Sequence, residues 1–256
     1  MRRLTLGLAM ISALSGVTPA FGGVPPVSLS VAGAGYALDV LERRVQSDPE
    51  SLQVAAEYRQ QVIAAGAYDR AISLFERLSK RPGAGAHAFV NLALAYVDKV
   101  PVSGSIRQAL LGRDAIRALS RSIELAPSEL AFFVRGLINL YYDRAIFHRT
   151  EKGVADLEEA RRLTVAAHPN ASYMPRILQT LGDGYFRLDQ RDKARQTWRD
   201  GLALAPDSEP LRQRLTASDE GARSIVAQAL NADVRVDTSL HELSLTQATP
   251  PIGGLR

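Results

Sequence analysis

Leu178-Gln179-Thr180-Leu181-Gly182-Asp183-Gly184-Tyr185, followed by Ala194-Arg195-Gln196-Thr197-Trp198 and then Pro206, is the stretch that decides the fold of this 256-residue chain. Leu178, Leu181 and Tyr185 recur at three- and four-residue steps, which places them on one face of a helix. Ala194 and Trp198 repeat that spacing in a second helix, and Pro206 stops it. Gly182 and Ala194 are small enough to let two helix backbones come close. Leu181, Tyr185 and Trp198 then fill the space around that approach. The sole tryptophan is therefore expected in the core, with Arg199 pointing outward. One such pair cannot bury its apolar face alone, so neighbouring pairs are expected.

Neighbouring copies are present, each with departures. Phe89-x-x-Leu92-Ala93-x-x-Tyr96 resumes at Ala115-x-x-x-Leu119 and closes at Pro127, with ten more residues between its halves than in the first stretch. Tyr68, Ala71 and Phe75 before Pro82 form a second helix whose preceding helix carries Tyr58 and Arg59 where leucine and glycine would sit. Between Phe132 and Pro169 the chain keeps Phe132, Gly136, Leu157 and Ala160, but has Arg135 and Asn139 at the leucine and tyrosine places. Ala37-x-x-x-Leu41 before Pro49 looks like the second half of an opening copy.

This order of large, small and aromatic positions resembles the tetratricopeptide repeat (TPR), a pair of antiparallel helices joined by a short turn. The resemblance covers residues 36–208. It implies an all-α fold, a right-handed superhelical array of antiparallel helix pairs with about four repeats plus end helices. Helix stops at Pro49, Pro82, Pro127, Pro169 and Pro206 agree with that division, and no strand pattern stands between them. Residues 209–231 are expected to form two capping helices, Glu209 to Ser218 and Asp219 to Asn231. Residues 232–256 are expected to be a largely disordered tail, with Pro250-Pro251 and Gly253-Gly254 near its end.

Arg2 and Arg3 precede an uncharged run from Leu4 to Val17 and a small-residue zone at Thr18 to Gly22. That order reads as a signal peptide over residues 1–22, with removal after Ala20 or Gly22. Residues 23–35, rich in Gly, Pro, Ser and Val, read as a flexible lead-in. There is no cysteine for a disulfide or a lipid anchor. The expectation is thus a soluble periplasmic or secreted protein. Loss of Arg2 and Arg3 lowers the formal charge from +4 to +2. A nearly neutral chain without a basic stripe argues against a nucleic-acid partner.

Signals for catalysis are sparse. Without cysteine, thiol chemistry is excluded. His87, His148, His168 and His241 include no pair at helical i,i+3 or i,i+4 spacing, so no metal site and no cofactor are expected. Gly33-Ala34-Gly35 and Gly83-Ala84-Gly85 lack the spacing and the preceding strand of a nucleotide-binding turn, and read as loops. Tyr141-Tyr142-Asp143-Arg144 with His148 reads as an aromatic helix end packed on its neighbour, the alternative being a ligand pocket. Asp156 to Arg162 reads as a solvated face, with Glu158 and Arg162 paired at i,i+4.

The extra residues of the second copy are expected to form a loop from Val97 to Gly104. Ser105 as N-cap would then lengthen the following helix by about two turns. Ile106 and Leu110 on that extension either cover a groove edge or another chain, or pack on the third copy.

In the TPR family, groove residues of each first helix lie one place from the packing positions. The resemblance therefore implies Gln53, Ala56 and Gln60 in the first full copy, and Arg176, Gln179 and Asp183 in the last. The middle copies supply Val90, Leu94 and Val97, then Phe133, Leu137 and Tyr141. Lysine and asparagine, which clamp a terminal carboxylate in some relatives, are absent from these places. The expected site is an apolar groove centred on Leu94, Phe133 and Leu137, flanked by Arg176 and Asp183. It would accept a partner's helix or extended apolar segment. Its occupant would otherwise be the chain itself, through the Ile106 and Leu110 extension or the tail from Val234 to Leu245. The function implied is a non-catalytic scaffold binding a protein or peptide. The alternative is a small-molecule or lipid-like ligand carrier.

Overall fold

The computed structural model describes residues 31–142, 147–234 and Thr238. The expected signal peptide, most of the lead-in, Asp143, Arg144, His241 and the tail beyond Thr238 lie outside the described residues. Eleven α-helices are described: α1 (Val31–Ser47), α2 (Leu52–Ala65), α3 (Tyr68–Ser79), α4 (Ala86–Lys99), α5 (Ser105–Leu125), α6 (Glu129–Tyr141), α7 (Thr150–Ala167), α8 (Met174–Arg187), α9 (Arg191–Leu204), α10 (Glu209–Thr216) and α11 (Asp219–Ala229). A short 3₁₀ turn, Val100–Val102, joins α4 to α5. Among the described residues there is no strand, and no helix is long and apolar enough to cross a membrane.

Consecutive helices pack as pairs, α2 with α3, α4 with α5, α6 with α7 and α8 with α9, and each pair stacks on the next. Local chemistry sets many of the ends. Ser51, Ser128 and Ser218 are N-caps whose hydroxyls accept from Val54, Ala131 and Gly221, satisfying amides that the helix leaves open. The start of α4 has no such cap of its own. The Glu50 carboxylate reaches across instead, accepting from the amides of Gly85 and His87 at 3.0 Å each. Gly66 ends α2 in the left-handed region (φ 66°), where a side chain would be strained.

The core is one continuous cluster running the length of the stack. Trp198 is fully buried and Arg199 exposed. Gly182 lies flat under the indole: a Cβ there would sit 2.4 Å from Trp198 Cδ1. The third pair uses a glycine on each helix, for a Cβ on Gly136 would lie 2.9 Å from the Gly153 carbonyl. Gly153, absent from the sequence reading, is the small partner that fixes this copy's register.

Several expectations need correction. Helix α1 begins at Val31, inside the stretch read as lead-in, so Gly33-Ala34-Gly35 is helical and not a loop. Leu38 and Val45 anchor this helix in the core, and extending a nucleated helix backward costs far less than starting one. Helix α4 continues to Lys99 and a 3₁₀ turn follows, so the link to α5 is shorter than the loop expected from Val97. The N-cap of α5 is Gly104, not Ser105. Glu158 does not pair with Arg162, which takes Glu159 at i,i+3 instead. Glu158 turns to the Tyr185 hydroxyl and to Lys193 Nζ at 3.2 Å on the next pair. Asp156 is no surface residue: it is buried and holds Arg135 through two hydrogen bonds of 2.9 and 2.7 Å.

Candidate functional site

Helices α4 and α6 stand farther apart than α2 and α4 do, and the space between them is the site. The extended start of α5 closes one side, because Ser105, Gln108, Ala109 and Gly112 face inward. Leu94, Val97 and Val100 form the α4 wall, and Val134, Leu137, Ile138, Tyr141 and Tyr142 the α6 wall. Arg176 stands at the rim. Ala232, Val234 and Thr238, beyond α11, close the remaining side. The pocket holds about 180 Å³ between mostly apolar walls.

Tyr141 and Tyr142 set its polar end. Tyr142 donates its hydroxyl to the Ala109 carbonyl at 2.7 Å and lies against Gly112, where a Cβ would meet the phenol oxygen at 2.7 Å. The Tyr141 hydroxyl reaches the Ala229 carbonyl at the end of α11, at 3.4 Å. Burial pushes the Tyr141 phenol up to about 12, Arg176 lowering it and Asp183 raising it further. Both tyrosines are therefore neutral hydrogen-bonding groups, not proton carriers, near neutral pH. The aromatic helix end is at once packed on its neighbour and part of a pocket wall.

Five of the eight proposed groove residues line this pocket: Leu94, Val97, Leu137, Tyr141 and Arg176. Val90, Phe133 and Asp183 do not. Val90 and Phe133 are fully buried, and the Arg176 guanidinium from the next pair lies 5.7 Å from the Phe133 ring centroid. One place from a packing position is still core where the next first helix stacks closely, as α8 does on α6 at Phe133. Asp183 is also buried. It binds Arg214 Nε at 2.7 Å and Nη2 at 2.8 Å, and accepts from the Trp198 indole at 3.1 Å. Burial pushes its carboxyl up and Arg214 pulls it down. Asp183 is a clasp between α8, α9 and α10. Gln53 and Gln60 are exposed and Ala56 half-buried, away from the pocket.

The helical extension supplies a groove edge through Ser105, Gln108, Ala109 and Gly112, not through Ile106 and Leu110 as expected, neither of which lines the pocket; Leu110 is exposed. Ile106 projects into solvent, 82% exposed, and does not pack on the third pair. The pocket residues that sequence reasoning missed include that inner face of α5, Val100 and Pro101 in the turn before it, and Val134 and Ile138 on α6, whereas the tail from Val234 had been named as a possible occupant. Ala109 and Gly112 were the available signal on α5, small residues at i,i+3 on one face of the helix.

Other chemistry is limited. His87 donates from Nδ1 to the Glu50 carbonyl at 3.1 Å, a structural contact beside the α4 cap. Among the described residues no group of three His, Cys, Asp or Glu side chains is placed to hold a metal ion.

No protein-family model and no curated relative matches the chain. Solved structures do. The crystal structure of TTC0263, a thermophilic TPR protein in Thermus thermophilus, superposes with a TM-score of 0.52 at 20% identity, over 72% of this chain and 90% of that one. Two crystal structures of MamA give 0.47 and 0.46, each at 18% identity and 68% of this chain, covering 90% and 84% of theirs. With the helix pairs, small–large contacts and stacking described above, the likeness to TTC0263 shows that this chain has the all-α tetratricopeptide-repeat fold, a right-handed solenoid of antiparallel helix pairs.

Proposed function

We propose that this chain is a non-catalytic scaffold, exported to the periplasm, whose α4–α6 pocket takes an apolar side chain of a partner protein or peptide. The observation that carries this reading is the pocket itself. Leu94, Val97, Leu137 and Ile138 give it apolar walls, and Tyr141, Tyr142 and Arg176 place hydrogen-bonding groups at its edge. A dry cavity of about 150 Å³ accommodates a benzene ring, so 180 Å³ suits one aromatic or aliphatic anchor. Drug-sized ligands occupy about 300–1,000 Å³, which weighs against the rival reading of a lipid-like carrier.

A photo-crosslinking residue at Leu137, compared with one at exposed Arg199, tests the site in cells. A discrete protein adduct from position 137 alone, lost when Val97→Asp is added, is the expected result. Equal labelling from both positions would overturn it. Native mass spectrometry of the purified chain separates the rival: a retained small molecule would favour the carrier. Export is tested by N-terminal sequencing of protein recovered from the periplasm. A start near Phe21 or Gly23 is expected, and an intact Met1 on that species would overturn the location.

A further inference from the structure

At the α2–α4 side of the same groove sits a second buried ion pair. Arg59 on α2 and Asp98 on α4 are each 2% exposed at the side chain, with Nη1 and Oδ2 3.0 Å apart. Stacking α2 on α4 brings these charges together but makes only that one contact between them. Thr238, 140 residues beyond Asp98, brings two more. Arg59 Nη2 donates to its backbone carbonyl at 2.9 Å, and its hydroxyl donates to Asp98 Oδ1. Arg59 Nε is buried with no hydrogen-bond partner.

One residue thus meets the cation with its carbonyl and the anion with its hydroxyl. The requirement is specific: an ionised aspartate only accepts and an arginine only donates. A segment that answers both presents an acceptor on its backbone and a donor on a short side chain. Serine and threonine meet that need. Valine does not, and a phosphorylated hydroxyl would bring negative charge against Asp98.

The described residues before Thr238 lie on the same face. Ala232 and Val234 line the pocket beside Leu94 and Val97, and Asp233 accepts from Gln108 Nε2 at 2.8 Å. We propose that the Arg59–Asp98 pair is a recognition site for an extended peptide presenting serine or threonine, and that the chain's own Thr238 is its resident occupant. A partner segment must displace it. The proposal rests on the reading of this groove as a peptide-binding face.

The test uses the full chain and a labelled synthetic peptide with the sequence of residues 232–245. A tethered segment competes at an effective concentration on the order of millimolar, so the native chain should scarcely bind micromolar peptide. The Thr238→Val chain should bind it at least tenfold more tightly by fluorescence anisotropy. A peptide carrying valine at the position of Thr238 should lose that gain. No binding by the Thr238→Val chain, or equal binding of the two peptides, would overturn the proposal. Failure here with a discrete Leu137 adduct would leave the groove reading standing; tight threonine-dependent binding with no Leu137 adduct would remove the apolar pocket and keep this site.

Discussion

Two buried arginine–aspartate pairs, one toward each end of the solenoid, are built differently. Asp183 takes Arg214 at two oxygens and the Trp198 indole as a third donor, while Arg214 Nη1 donates to the Pro210 carbonyl at 2.9 Å. All of these partners come from consecutive helices. Arg59 and Asp98 meet across neighbouring pairs; Arg59 also donates to, and Asp98 also accepts from, a residue near the other end of the chain. Removing two charges from water is costly and is offset only by good geometry with the remaining hydrogen bonds filled. The stack alone fills those of Asp183. At Arg59 and Asp98 the contacts of Thr238 add to those of the stack, and its replacement by a partner, as proposed above, is what would separate a recognition site from a structural clasp.

The largest effect should come from breaking the clasp. Arg214→Met leaves Asp183 buried with the indole as its main remaining donor, and should cost about 3–5 kcal/mol. Trp198→Ala opens a cavity over Gly182 and removes the third donor, for about 3–5 kcal/mol as well. Because both act through Asp183, the double variant should cost less than their sum. Denaturant melts of all three decide this, with Arg199→Ala expected to stay within about 0.5 kcal/mol of the native chain. A fully additive double variant would show that the clasp is not one unit.

A smaller effect is expected at the other pair. Thr238→Val removes one charge-assisted hydrogen bond while keeping the carbonyl contact, for about 1–2 kcal/mol. Amide exchange should rise in α2 and α4 without rising in α8 and α9. A loss as large as that of Arg214→Met would erase the contrast between clasp and recognition site.

The smallest effect is a pH dependence. The Tyr185 hydroxyl, and then Lys193, hold the Glu158 carboxyl below the usual carboxylate range. A carboxyl depressed in the folded state stabilises the protein above its unfolded pKa of about 4.3, and that stabilisation is lost as pH falls through the folded value. Glu158 is 49% exposed, so screening keeps the contribution below about 1 kcal/mol. Glu158→Gln should lower the melting temperature slightly at pH 6 and not at pH 3. An equal shift at both would assign the effect to packing.

The stack was legible because its rule is local. Gly182 and Trp198, or Ala93 and Leu119, occupy fixed places along two adjacent helices, and close approach demands a small residue opposite a large one. The third copy was harder to read because its polar departures answer one another. Arg135 stands where leucine is expected and is met by Asp156, which also accepts from Asn139 at 3.4 Å. Opposite charges at facing packing positions were the signal, but Asp156 was read as part of a solvated face. The groove was half legible. Distance along the family pattern placed Leu94, Val97, Leu137, Tyr141 and Arg176 on the pocket wall, but it cannot tell how closely successive first helices stack, and the close approach of α8 to α6 buried Phe133. Thr238 lay beyond any periodic argument. Nothing in the spacing of residues links it to Asp98.

The lone tryptophan has a practical consequence. Trp198 reports on the α8–α9 end, whereas the helices before it contribute most of the far-ultraviolet signal. In a linear array stability is set by neighbours, so one end can melt before the other. Opening of α1 to α4 would then be dark to indole emission and visible only by circular dichroism. Two optical probes on one unlabelled sample would read out separately the fraying of each terminus, and the interval between their midpoints would measure how tightly the helical stack couples its ends.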